Sequence, residues 1–337
     1  MSRTEEQRGA NSPLHGVNPL SVISAIKARA EKWAKGERAP DGRKLGLVIE
    51  GGAMRSVYSA GGAVALAHLG FHELFDEVYA TSAGVMNASY FLSNQPFVGI
   101  TVYYDSCTSR LFMNPFRLWK VLDIDYLFDQ VVANDKPLDV ARVLSSPSKF
   151  FVALIDKTTG KGTLVEKQES RTPLLRVLKA ATSMPVFYNR TVEVDGRPCM
   201  DGGLAIPFPL EQAMANGCTD LLVLLTRPAD YRCPAPGWRS RRLFDLICAR
   251  GNAGVSHAYA AHHETSRAAR DLAFGRVPTP PGVNIATICT ERPELIGRTT
   301  ADPFALRQAA LDYGRKTLRL FGADDSAWDL PVPNRRH

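Results

Sequence analysis

Long apolar runs are missing. Nothing in the 337 residues approaches the roughly 18 consecutive apolar residues that a bilayer-spanning helix requires. The opening MSRTEEQRGANSPLHG is polar and has no apolar segment of the kind a secretory signal carries. Any membrane contact is therefore expected to be peripheral. The expected location is the cytoplasm, with the inner face of the membrane as an option. The six cysteines (Cys107, Cys199, Cys218, Cys233, Cys248 and Cys289) include no C-x-x-C pair, so a zinc site is not expected. A chain this long needs no disulfide framework, and reduced thiols follow. Internal repeats and Gly/Pro/Ser-rich linkers are also absent.

What is present is ordinary globular material. Hydrophobic residues make up 45% and charged residues 22%, enough for a sizeable core in one large α/β domain or two smaller ones. The formal net charge of +7 is unevenly spread. Arginines crowd Arg227, Arg232, Arg239, Arg241, Arg242 and Arg250, and a second basic region holds Lys27, Arg29, Lys32 and Lys35. Such charge suits anionic partners, or else forms a solvated basic surface.

Hydrophobic periodicity orders the chain. Residues up to about Pro19 read as disordered. From Ser21 to Lys35, Val22, Ile26, Ala30 and Trp33 fall at helical spacing, as a helix packed on the main domain or lying on a membrane. KLGLVIEGG reads as a buried strand entering a tight loop, and SAGGAVALAHLGF as a helix. DEVYATS is a second strand and AGVMNASYFLSNQ a second helix, the order of a parallel sheet. Further on come a strand pair around a Thr-Gly turn (KFFVALIDKTTGKGTLVE), a helix (TPLLRVLKAATSMP) and a hairpin through Asp195-Gly196. EQAMANG, DLLVLLT, a mostly helical stretch from Arg239 to about Ala273, VNIATIC and a final amphipathic helix complete one α/β domain.

Three short stretches carry chemistry. Ala80-Thr81-Ser82-Ala83-Gly84 lies between a strand and a helix. It approximates G-x-S-x-G, with alanine at the first glycine position. A sharp strand-to-helix turn pushes a serine hydroxyl out of the sheet, and the helix amides face a forming oxyanion. Serine is also a preferred helix cap, which is the competing explanation. Glu50-Gly51-Gly52-Ala53-Met54-Arg55-Ser56 follows the first strand. Its small residues expose backbone N–H groups as a cradle for developing negative charge. A nucleotide loop is the alternative, but Ala53 and Ser56 break G-x-G-x-x-G and no P-loop lysine follows. Met200-Asp201-Gly202-Gly203 places a carboxylate on a glycine-flanked loop, where Asp201 can take a proton from Ser82 or merely shape a turn.

In this order the three stretches resemble the patatin-like phospholipase family, most closely its bacterial members of predicted esterase type. LFMNPFRLWKVLDIDYLFD, LKAATSMPVFY, DGGLAIPFPLEQA and LLVLLTRPADYR extend the likeness over most of the chain from Leu45. The resemblance implies a three-layer α/β/α sandwich with a mainly parallel central sheet. It implies a serine acyl hydrolase of phospholipase A or esterase type that works through a Ser-Asp dyad and an acyl-enzyme. Ser82 would be the nucleophile and Asp201 the base. Gly51, Gly52, Ala53, Met54 and Arg55 would form the oxyanion loop. Ala80, Thr81, Ala83 and Gly84 would make the nucleophile elbow, and Gly202 and Gly203 the loop of the base. Ala80 and Ala53 depart from the family pattern, each adding a methyl at a tight turn. A weakly active or inactive scaffold that binds lipid or protein is the reading those departures motivate.

The domain would span 44–321, after a polar tail and basic helix over 1–43 and before a tail over 322–337. No metal or organic cofactor and no nucleic acid is expected, and the partners would be a lipid or small ester and an anionic membrane surface. His257, His262 and His263 follow Asp201, so a Ser-Asp-His triad is a further option, although they lie in a helical stretch. His68 and His72 read as surface or helix-capping residues, and Asp123, Asp125 and Asp129 as charges at the start of a helix rather than a metal site.

Overall fold

The computed structural model describes residues 14–117, 120–188 and 190–334. Along the chain, β1 (His15–Val17) and α1 (Pro19–Ala34) precede β2 (Leu45–Ile49), α2 (Val57–His68), β3 (Glu77–Ala80) and α3 (Gly84–Leu92). Then come β4 (Lys149–Asp156), β5 (Gly162–Glu166), α4 (Leu174–Thr182), β6 (Val192–Val194), β7 (Arg197–Asp201), α5 (Leu210–Ala215) and β8 (Asp220–Leu224). The last elements are α6 (Trp238–Phe244), α7 (Ala253–Ala273), β9 (Asn284–Ile288) and α8 (Pro303–Leu320).

The unbroken apolar runs become central strands because both faces of a parallel sheet are covered. Successive side chains point to opposite faces. Leu47, Ile49, Val78 and Ala80 enter one core with α2, α3 and α8, whereas Val48, Tyr79, Leu221 and Val223 enter the other with α5 and α7. The outcome is an α/β fold with a mixed, mostly parallel sheet between helical layers. The nine strands run β1-β9-β8-β2-β3-β4-β7-β6, with β5 also on β4. Strands β9, β8, β2, β3 and β4 are parallel, and β1, β5, β6 and β7 antiparallel to their neighbours.

The register of β4 decides where the chemistry meets. Residues Phe151–Ile155 pair with β5 along one edge. The other edge takes β3 as far as Ala80 opposite Val152, then β7 with Asp201 opposite Leu154. Thus β7 continues the edge that β3 leaves, and the chain after Ala80 turns out beside the end of β7.

The N-terminus departs from the expected disorder. Residues 1–13 lie outside the described residues, but Leu14 is buried and β1 pairs with β9. The basic helix α1 packs on the sheet by Val22 and Ile26. Arg29 is buried with it and ion-paired to Asp41 and Asp76. Glycines inside α2 serve close packing: a Cβ on Gly61 would lie 2.2 Å from the Ala310 carbonyl oxygen of α8. Among the described residues no helix is long and apolar enough to cross a membrane.

Candidate active site

Ser82 has φ of 54°, the left-handed region that a residue with a side chain occupies at a strain of about 1–2 kcal/mol. Its surroundings hold it there. The Thr81 hydroxyl donates to the Ile206 carbonyl at 3.2 Å, and the Gly84 amide donates to the Thr81 carbonyl at 3.0 Å. Ala83 stands at the N-cap of α3, which no side chain caps. Ser82 is therefore not the cap that serine commonly supplies. Its hydroxyl donates instead to Asp201 Oδ2 at 2.6 Å, across 119 positions of sequence. The other carboxylate oxygen accepts from the Gly203 amide at 2.8 Å, which fixes the rotamer. Gly202 lets this loop lie on β4, since a Cβ there would meet the Ala153 carbonyl carbon at 2.5 Å.

Asp201 is only 2% exposed. Burial raises its pKa to about 6, against the opposing pull of the Ser82 hydroxyl, the Gly203 amide and the Arg298 charge. A carboxylate poised near neutrality is suited to exchange a proton with a hydroxyl.

The glycine loop faces this pair. A Cβ on Gly51 would lie 2.5 Å from both Ser82 Cβ and the Thr81 oxygen, so the loop abuts the serine with no space for a side chain. Thr226 ties the loop down: its hydroxyl donates to the Gly51 carbonyl and its amide to Glu50. Gly52 and Ala53 both have positive φ, 150° and 53°. The Met54 amide donates to the Arg298 carbonyl at 3.3 Å and the Arg55 amide to the Gly52 carbonyl at 3.2 Å. Among the described residues, the amides of Gly51, Gly52, Ala53 and Ala83 donate to no carbonyl. The free donors are thus fewer than the five-residue loop suggested.

The Arg55 guanidinium is buried, with Nε lacking a partner among the described residues. Its pKa falls to about 10 through burial first, then the charges of Arg227 and Arg298. All three arginines line a cleft of about 390 Å³ with Ser82, Asp201, Tyr231 and His262. On its other side Ser82 borders a small apolar chamber of about 60 Å³, walled by Met54, Met86, Tyr90, Phe112, Ile124 and Leu127. The serine stands between a cationic vestibule and an apolar recess.

The remaining residues singled out in the sequence sort cleanly. Ala80 is buried at the end of β3, and its methyl belongs to the core. Ala53 lines the apolar chamber. Of the three downstream histidines, His262 reaches the cleft, but its Nδ1 lies 3.2 Å from the Leu204 carbonyl, and Ser82 bonds Asp201 with no imidazole between them. His68 is exposed at the end of α2. Asp123 caps a short helix by accepting from the Tyr126 amide, while Asp125 and Asp129 pair with Lys179. Arg298 was not singled out: it lies 97 positions beyond Asp201 in a loop, ERPELIGRTTADP, with no periodicity or motif.

Comparison with known proteins adds to this geometry. The chain is 30% identical over 206 residues to the uncharacterized protein YjjU of Escherichia coli (strain K12). That match takes in 59% of this chain and 56% of the relative, so the chain spans little more than half the length of the protein it matches. The family model described as Patatin-like phospholipase matches residues 47–214, which hold the glycine loop, Ser82 and Asp201. Through those residues the chain belongs to the patatin-like phospholipase family, a family of lipid acyl hydrolases.

Proposed function

We propose that the protein is a serine acyl hydrolase of lipid esters, of phospholipase A or esterase type, working through Ser82 and Asp201. The observation that carries this reading is the 2.6 Å hydrogen bond from a serine in a strained turn to a buried carboxylate, beside unengaged backbone amides. Ser82 Oγ attacks the ester carbonyl carbon as Asp201 takes its proton. The carbonyl oxygen becomes an oxyanion among the amides of Gly51, Gly52, Ala53 and Ala83. Donors of this kind typically lower the barrier by about 3–4 kcal/mol each. Collapse breaks the ester bond, Asp201 returns the proton to the departing alcohol, and the acyl group stays on Ser82. Water then attacks the acyl-enzyme with Asp201 again as base, releasing the acid and restoring the serine.

The two compartments divide the substrate. The acyl chain enters the apolar chamber under Met86 and Tyr90, and the alcohol lies in the vestibule with Arg55, Arg227 and Arg298. These arginines favour an ester with an anionic group on its alcohol side.

A fluorophosphonate probe followed by mass spectrometry tests the reading, with a covalent adduct on Ser82 expected. A p-nitrophenyl ester should be turned over by the wild type and left intact by Ser82→Ala. Equal rates in both, with no adduct, would make the chain a non-catalytic scaffold of this fold.

A further inference from the structure

A helix whose buried side lines the cleft turns large apolar side chains to solvent. Helix α6 continues through a wider turn over Asp245–Ala249, and this segment buries only Phe244, Cys248 and Ala249. Phe244 stacks on Tyr259 at 3.9 Å between ring centroids, and both line the cleft with Ser82. The outer side leaves Trp238 70%, Leu243 58% and Leu246 76% exposed. Val186, 51% exposed, is on the cleft rim. The neighbouring backbone leads on to a third segment. Leu122 N donates to the Phe187 carbonyl, and Lys120 bridges to Tyr188. That segment presents Leu111 at 63% and Phe116 at 91% exposure. Helix α6 thus carries exposed apolar side chains next to the cleft that Phe244 lines, and Val186 adds one at the cleft itself.

Charge accompanies it. From Trp238 to Arg250 there are four arginines and one carboxylate, Asp245. Arg239, Arg241 and Arg242 form no ion pair with a described carboxylate. Scattered exposed apolar residues need no explanation, but several on one short helix beside a cleft mark an interaction surface. A basic helix with Trp and Leu on its outer side is the composition of a segment that lies in a membrane interface. The arginine stems cover apolar surface while their heads reach lipid phosphates. Symmetric pairing of two copies through this face would instead bring like-charged arginines together.

We infer that the protein docks on an anionic bilayer through the outer face of α6, with this helix lying in the headgroup layer and the Ser82 cleft opening onto the lipid. The inference rests on the proposed lipid hydrolysis only for what the cleft does once docked. The surface itself stands on exposure and charge.

The test mixes the full chain with vesicles of phosphatidylcholine alone, or of equal parts phosphatidylcholine and phosphatidylglycerol. Sedimentation with the anionic vesicles only is expected, together with a blue shift of tryptophan emission that Trp238→Phe removes. Changing Arg239, Arg241 and Arg242 together to Glu should weaken vesicle affinity by at least about a hundredfold. Leu243→Ser with Leu246→Ser should also weaken it, and both variants should keep the wild-type rate on a soluble ester. Ser82→Ala should sediment like the wild type, so failure of the catalytic reading and failure of docking are separate results. The inference is overturned if the wild type ignores both vesicles or if the triple arginine variant sediments undiminished. It is also overturned if light scattering shows a dimer that the double leucine variant dissolves.

Discussion

At Asp201 one buried carboxylate links the rate of the proposed reaction to stability. Its pKa of about 6 in the folded protein stands above the ~3.9 of an unfolded aspartate because burial disfavours the charge. In the proposed mechanism the ionised form is the base, so kcat/KM should fall about tenfold per pH unit below pH 6 and level off above it. The sign for stability is opposite. Between about pH 4 and 6 the folded chain holds a proton that the unfolded chain has released, so stability declines as pH rises and the penalty is complete above 6. Asp201→Asn removes that penalty while still able to accept from the Gly203 amide. It should abolish ester turnover yet raise stability at pH 8 by on the order of 2–3 kcal/mol, a gain that shrinks toward pH 4. Thermal melts at the two pH values check this, and a destabilised variant at pH 8 would contradict the burial argument. Arg227 offers a second residue-scale expectation. It carries a cation–π contact with Tyr231 at 4.4 Å but no ion pair among the described residues. Arg227→Ala should raise KM about tenfold for an ester whose alcohol carries a phosphate, and leave a neutral ester unchanged, since hydrogen bonds to charged groups contribute about 1.5–3 kcal/mol.

Among the elements, what the sequence discloses is local. The strand-turn-helix around Ser82 is legible because β-favouring residues give way to small ones and then to an apolar helix, and the Asp195-Gly196 hairpin because its turn residues name it. The meeting of Ser82 with Asp201 is not legible from pattern. It depends on β3 and β7 sharing one edge of β4, a register that only the assembled sheet fixes. The residues alone left Asp201 open between base and turn former, and the family resemblance favoured the pairing. The Arg298 carbonyl on the Met54 amide is equally hidden, because a loop without periodicity leaves no signal. The alanine departures also needed the structure. Ala80 is a buried strand residue, so Ala80→Gly should yield no rate gain and lower stability by about 1 kcal/mol, from lost packing and added unfolded-state freedom. Gly51→Ala is the contrasting case. Its new methyl would sit 2.5 Å from Ser82 Cβ, and both contacts are rigid. The loop must move away, and ester turnover should drop at least a hundredfold, because a displacement of about 1 Å in a reacting geometry has that effect. Rates for the two variants, with denaturation midpoints alongside, decide between tight loop and tolerant strand.

Across the whole molecule, the part that matches the family ends at residue 214, but the site does not stand on that part alone. Helix α8 lies on α2, and its Tyr313 hydroxyl donates to the Ile288 carbonyl at 2.7 Å, tying the helix to β9. The segment after α8 wraps back on it. Trp328 is buried against Gly314, where a Cβ would be 2.1 Å from the indole ring. Beyond it, the Tyr104 hydroxyl donates to the Pro331 carbonyl at 2.9 Å, and the Asn334 amide donates to Asp105 at 2.9 Å. Tyr104 and Asp105 directly follow Tyr103, which lines the apolar chamber beside Ser82. The C-terminal segment thereby braces the wall of that chamber, the proposed acyl site. Trp328→Ala should lower stability by about 3–5 kcal/mol, the range for truncating a buried aromatic. Removing 326–337 should have a similar effect and, in addition, raise KM for long-chain esters more than for acetate esters, because only the long chain fills the chamber. Denaturant titration and a chain-length series on the truncated protein check both halves. An unchanged midpoint with an unchanged chain-length preference would show that the wall holds its shape without the brace.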